Sequence, residues 1–152
     1  MTGEDGHVIL SSTCFQLGVT GSHITQSFSR RIERIGLSHK QVGLLAVVDA
    51  GVATSQREIA TRLHVAPSLV VTLVDRLTST GAVRRTRSRN DRRVQTIEIT
   101  DEGRSLLKAA TDIASGLDTD LRTLLSPDDQ QALDRLLPLL LHAAMATGQD
   151  EA

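Results

Sequence analysis

Residues 55–83 read SQREIATRLHVAPSLVVTLVDRLTSTGAV. Ser55, followed three residues later by Glu58, has the spacing of a capping box, in which hydroxyl and carboxylate each satisfy a backbone N–H left open at a helix start. Ile59, Ala60 and Leu63 then supply one apolar face for a short helix. His64, Val65 and Ala66 are left for a tight turn, and Pro67, whose ring fixes φ near the helical value, suits the first position of the next helix. Val70, Leu73, Val74 and Leu77 form its buried stripe, and Gly81 stops it. Two short helices joined by a three-residue turn have the dimensions of a helix-turn-helix.

Downstream the period changes from helix to strand. Val83 to Thr86 and Val94 to Thr100, where Ile97 and Ile99 alternate inward, flank the polar tip SRNDRR, so a two-stranded wing is expected. Thr100 caps a long helix with Asp101 and Glu102 in its first turn, where the helix dipole favours negative charge. Leu106, Ala110, Ile113, Leu117, Leu121 and Leu124 continue it as one apolar stripe, and Ser126, Pro127 and Asp129 open a last, leucine-rich helix with a kink expected at Pro138. Upstream, Ser38 and Gln41 cap a helix through Val42, Leu45 and Val48 to Asp49, closed by Gly51. A longer helix from Thr13 to Ile35 precedes it, weakened at Gly18 and Gly21 and ended at Gly36, and the residues before Thr13 read as a frayed start. The expected fold is mainly α with a small β wing, a winged helix-turn-helix in one domain, 1–152.

The composition narrows the function classes. Of 152 residues 39% are hydrophobic, and Phe15 and Phe28 are the only aromatics among Phe, Tyr and Trp, so the core is aliphatic and the chain lacks rings on which single-stranded bases stack. The net charge of -1 hides an asymmetry. From Thr54 to Ile97 nine arginines (57, 62, 76, 84, 85, 87, 89, 92, 93) face Glu58, Asp75 and Asp91, whereas from Asp101 onward ten acidic residues face Arg104, Lys108, Arg122 and Arg135. A basic middle of that kind suits a phosphate-contacting surface. One cysteine, Cys14, excludes an intramolecular disulfide and any CxxC motif. No basic leader with a long apolar stretch and no membrane-length run is present, which implies a cytoplasmic protein that does not engage membranes. No Gly-rich phosphate loop, GxSxG or HExxH occurs, so neither an enzyme nor a bound cofactor is expected.

On this architecture the Pro67 helix lies in the major groove of duplex DNA and the wing reaches phosphates or the adjacent minor groove. Its exposed side is expected to carry Ser68, Leu69, Thr72 and Arg76. Ser68 and Thr72 suit phosphates or base edges, Arg76 a phosphate, and Leu69 or Val71 either a thymine methyl or the core. Ser55, Gln56, Arg57 and Pro67 at the starts of the two helices, with Arg87, Arg89, Asp91, Arg92 and Arg93 in the wing, complete the candidate DNA contacts.

The stretch from Ser55 to Gly103, above all LVDRLTSTGAV and NDRRVQTIEITDEG, resembles the MarR family of transcriptional regulators. The resemblance implies that Arg93 enters the minor groove and that Asp91 orients it. It also implies dimerisation through the terminal helices, 13–36 and 101–147, around a DNA-binding lobe at 37–100, and hence a repressor binding a pseudo-palindromic operator with half-sites about 34 Å apart. Where the family commonly has hydroxylated or basic residues in this helix the chain has Leu69, Val71 and Thr72, two of them apolar, so readout of DNA shape through Arg92 and Arg93 gains weight. A non-specific architectural DNA binder is the other DNA-binding alternative.

The family commonly releases DNA when a small aromatic or anionic molecule binds between dimer helices and DNA-binding lobe. His23, Ser27, Arg30 and His39 are the candidates for such a cleft. Cys14-Phe15 resembles the CF pair of the family's hydroperoxide-sensing branch, in which a thiolate is oxidised to sulfenic acid. That branch holds its cysteine with tyrosines, and this chain has none, so Cys14 reads first as an inert buried thiol and second as a redox switch. Five scattered histidines without ligand spacing give no metal site.

Overall fold

The computed structural model describes residues 4–87 and 95–147. The elements run α1 (Glu4–Ser11), α2 (Thr13–Ile32), a 3-10 turn (Glu33–Ile35), α3 (His39–Asp49), α4 (Gln56–Leu63), α5 (Pro67–Ser79), β1 (Val83–Arg87), β2 (Gln95–Ile99), α6 (Asp101–Arg122) and α7 (Pro127–Thr147). A mainly helical chain with one small antiparallel sheet is the expected fold class. It divides into two compact units, Met1–Ala114 and Ser115–Ala152.

The start of the chain departs from expectation, because the segment read as frayed forms α1. Its apolar residues Val8, Ile9 and Leu10 are contiguous, so no helical stripe shows in the sequence. Two serines join it to α2. Ser11 Oγ donates to the His7 carbonyl at 2.8 Å, and Ser12 Oγ accepts the Phe15 N–H at 3.3 Å as the N-cap of α2. That helix runs through Gly18 and Gly21, where an added methyl would meet nothing within 4 Å.

In the first unit the core gathers Ile32 from α2, Leu44, Leu45 and Val48 from α3, and Ile59 and Ala60 from α4. Val70, Leu73, Val74 and Leu77 from α5 join them, with Val83, Ile97 and Ile99 from the sheet and Ala110 from α6. Helix ends follow local chemistry. Ser38 and Gln41 form the expected capping box, with bonds of 3.3 and 2.8 Å, and Gly36, Gly51 and Gly81 terminate their elements at φ of 78°, 67° and 76°, a region that a Cβ disfavours. β1 and β2 pair in the register Val83↔Ile99 to Arg87↔Gln95. Beyond its ladder the sheet is tied to the α3–α4 connection, since Ile97 N–H donates to the Thr54 carbonyl at 2.7 Å.

The start of α6 is knotted to the end of α5 and the sheet. Thr100 Oγ1 accepts the Gly103 N–H at 3.1 Å and lies 2.5 Å from the Gly81 carbonyl and 3.0 Å from that of Ala82, which also accepts the Thr100 N–H at 3.0 Å. Arg104 reaches back to Asp49 at 3.3 Å and to the Ile99 carbonyl at 3.4 Å. In the second unit Arg122 bonds Asp118 within α6 and Asp134 on α7, and Gln130 Nε2 donates to the Arg122 and Leu125 carbonyls at 3.0 and 3.2 Å, satisfying the end of α6. The carboxyl of Asp134 is held below its ordinary value by its hydrogen bond from Arg122. α7 continues through Pro138 as one helix, and among the described residues no helix is long and apolar enough to cross a membrane.

Candidate nucleic-acid interface

Helix α4 begins at the Ser55 capping box. Ser55 Oγ accepts the Glu58 N–H at 3.2 Å, while Glu58 Oε2 accepts the N–H groups of Ser55 and Thr54 at 3.0 and 3.1 Å. These bonds from Ser55, then Thr54, hold the Glu58 carboxyl below the ordinary glutamate value of 4.5. A depressed folded-state pKa gives stability that is present above the unfolded value and lost as pH falls through the folded one. Acidification below about 4.5 is therefore expected to narrow the gap in melting temperature between wild type and Glu58→Gln. A gap that stays constant across that range would exclude the ionised carboxylate as the cap.

The turn between α4 and α5 is built without glycine. His64 adopts the left-handed conformation at φ 51°, ψ 48°, and the Val65 N–H reaches the Ala60 carbonyl at 3.1 Å, closing α4 as a Schellman motif. Ala66 is the N-cap of α5 and makes no side-chain cap, and Pro67 holds the first helical position. Val70, Leu73, Val74 and Leu77 bury one face, which leaves Ser68, Val71, Thr72, Asp75 and Arg76 exposed on the other.

The two candidate thymine contacts thus part company. Leu69 is half-buried and packs against the core, whereas Val71 is 41% exposed beside Thr72. Thr72 Oγ1 donates to the Ser68 carbonyl at 3.2 Å, and an exposed hydroxyl so engaged can still accept from an incoming donor. Ser55 and Gln56 are half-buried at the start of α4, and Arg57 is exposed. Arg89, Asp91, Arg92 and Arg93 lie outside the described residues, and Arg87 stands exposed at the last position of β1.

Two arginines of the basic stretch are committed within the protein. Arg84 donates through Nε and a terminal nitrogen to Glu98 Oε2, at 3.0 and 2.8 Å, across the β1–β2 pair. Arg85 forms an ion pair with Asp75, stitching β1 to the exposed side of α5. Counting charge along the chain misses both, since the partners are set by strand register and by the packing of helix on strand.

The effector candidates do not converge on one place. Cys14 is exposed, which corrects the expectation of a buried thiol: it stands in the first turn of α2, whose first buried residue is Ile32. His39 is exposed and meets Phe28 edge-on, with ring centroids 5.7 Å apart. His23 is exposed on α2. Ser27 and Arg30 do come together, with Arg30 3.5 Å from Ser27 Oγ, and with Arg31 and Arg34 they line a recess of about 250 Å³. The i, i+3, i+4, i+7 spacing of these four was visible in the sequence. Among the described residues no three His, Cys, Asp or Glu side chains are placed to hold a metal ion.

The sequence profile of the MarR family matches residues 35–94, the span from the end of the 3-10 turn through α3, α4, α5 and β1, stopping short of β2. The fold matches that of the transcriptional repressor CouR bound to a 23-mer DNA duplex, at a TM-score of 0.77 and 28% identity, over 88% of this chain and 95% of that one. CouR comes from Rhodococcus jostii RHA1. The chain is MarR-like over this span and in its fold. Among curated MarR-type proteins it is 36% identical over 72 residues to the HTH-type transcriptional repressor MdtR of Bacillus subtilis (strain 168), a match covering 47% of this chain and 46% of MdtR. It is 31% identical over 106 residues to the HTH-type transcriptional regulator TtmR of Methylorubrum extorquens (strain PA1), covering 69% of this chain and 54% of TtmR. The chain thus spans about half the length of the curated relatives it matches. In MarR terms α4 and α5 are the helix-turn-helix and β1–β2 the wing.

Proposed function

We propose that this MarR-like protein is a transcriptional regulator, a repressor in type, that binds a specific pseudo-palindromic site on duplex DNA as a homodimer and leaves it when a small molecule binds. The observation that carries the reading is the outward face of α5, where Ser68, Val71, Thr72 and Arg76 stand exposed on a helix whose other face is locked in the core. That is the geometry a recognition helix needs in a major groove. The likeness to CouR on DNA supports it.

Homodimerisation draws support from apolar side chains left in water. Val8, Ile9, Leu10, Phe15, Leu17 and Val19 are exposed on α1 and α2, as are five leucines and Met145 on α7. Exposed apolar side chains in such numbers are what an association surface covers. In this reading 13–36 and 101–147 dimerise and 37–100 forms the DNA-binding lobe. Light scattering after gel filtration is expected to give twice the 16.4 kDa chain mass, and a monomer at micromolar concentration removes the palindrome from the proposal.

Sequence preference is tested by selecting bound duplexes from a random pool, with and without phenolic acids. Recovery of one palindrome supports the regulator; uniform binding governed only by salt would make the protein an architectural binder instead. The exposure of Cys14 favours a second reading, release by oxidation of its thiolate to sulfenic acid by a hydroperoxide, which is reduced to the alcohol. Peroxide-driven release that persists in Cys14→Ser refutes it.

A further inference from the structure

We propose that the recess along α2 and its 3-10 extension, lined by Ser27, Arg30, Arg31 and Arg34, is a binding site for a small, multiply charged, phosphate-bearing anion. Spacings of three and four residues bring the four side chains into one column, about 10 Å long at the helical rise. Among the described residues no carboxylate lines the recess, and its volume of about 250 Å³ suits a short polyphosphate or a sugar phosphate better than an extended ligand.

Arg84, Arg85, Arg104 and Arg122 each hold a carboxylate. Arg30 and Arg34, an i, i+4 pair of like charge, have none among the described residues, and Arg30 donates to the Ser27 hydroxyl at 3.5 Å. Exposed arginines that hold no carboxylate also occur elsewhere among the described residues, Arg57, Arg62, Arg76 and Arg87 included, and what distinguishes the column is the i, i+4 spacing of two such arginines in one recess. Like charges at that spacing repel, and an anion lying between them removes the repulsion. Arg31 has an interaction partner of its own, whereas Arg30 and Arg34 have no carboxylate among the described residues to occupy their guanidinium forks. A tetrahedral phosphate accepts such forks in pairs and takes a hydroxyl on a remaining oxygen, which is the set Ser27 completes. Phenolate and simple carboxylate ligands leave most of these donors unused, so the recess selects for phosphate.

The test is calorimetric titration of the full chain with tripolyphosphate and with inorganic phosphate, at ionic strength matched with chloride. Tripolyphosphate is expected to bind at one per chain and more tightly than phosphate. Arg30→Ser/Arg34→Ser should weaken it by about tenfold or more, the loss expected for charged hydrogen bonds. Arg30→Lys/Arg34→Lys, which keeps the charge and loses the forks, should fall between. Absence of binding by the wild type, or equal binding by the Ser variant, overturns the proposal. Equal binding by the Lys variant overturns it too, since diffuse charge would then suffice. DNA phosphates are the competing source of the same chemistry. If the Ser variant also lowers the salt slope of DNA binding by about 1.8, two phosphate contacts' worth, the arginines belong to the DNA interface and the small-anion site is refuted. The titration itself contains no DNA, so its failure leaves the regulator reading standing.

Discussion

Gly103→Ala is expected to destabilise the Met1–Ala114 unit by about 3 kcal/mol, the upper range for overpacking, because the methyl has nowhere to go. A Cβ built at Gly103 would lie 2.1 Å from the Ala82 carbonyl oxygen and 2.7 Å from Ile99 Cγ1. The side chain of Ile99 can rotate; the carbonyl cannot yield cheaply. It accepts the Thr100 N–H at 3.0 Å and lies 3.0 Å from Thr100 Oγ1, so displacing it opens the junction between α5, β1 and α6. Since that junction fixes the strand following α5, the proposed recognition helix, DNA binding should fall along with stability. Gly116→Ala, in the same helix, supplies the control: nothing lies within 4 Å of its Cβ, and the exchange should stabilise by about 1 kcal/mol through helix propensity. Urea unfolding of both variants measures the contrast. A Gly103→Ala protein within about 1 kcal/mol of wild type would show that α6 can slide off the Ala82 carbonyl, against the overpacking argument.

What could be read from the sequence is what local chemistry decides. The capping boxes at Ser38 and Ser55, Pro67 at a helix start and the three left-handed glycines each depend on a few neighbouring residues, and each is found where the residues put it. The left-handed turn at His64 escaped notice because no glycine marks it. The crowding at Gly103 comes from Ala82 and Ile99, which only tertiary packing brings alongside. Helix α1 was missed because three adjacent apolar residues carry no period. Within the candidate interface, the composition of α5 foretold its buried stripe correctly, but Leu69 and Val71 could be told apart only by the angle at which the helix meets the core. The arginines divide for a similar reason: which of them are spent on internal carboxylates depends on register, and composition counts them all alike.

That division leads to an expected difference in DNA binding. Arg93→Ala should weaken binding to the selected operator by roughly tenfold to a hundredfold, the range for losing one groove-reading arginine, whereas Arg84→Ala should change it by less than about threefold. Arg84 already spends its guanidinium on Glu98, at 2.8 and 3.0 Å, and that exposed pair, 67% and 46% accessible, contributes little to stability. In the roles that the family resemblance implies, Arg93 enters the groove and Asp91 orients it. Asp91→Asn should therefore weaken binding less than Arg93→Ala, and add little when combined with it, because two residues acting through one contact are not additive. Fluorescence anisotropy at several salt concentrations, with circular dichroism to establish that each variant is folded, separates the cases. If Arg84→Ala loses as much as Arg93→Ala, the Glu98 pair opens on DNA and Arg84 is itself a phosphate contact. If Arg93→Ala binds with near-normal affinity, the wing does not read this operator, and specificity must come from Ser68, Val71, Thr72 and Arg76 on α5.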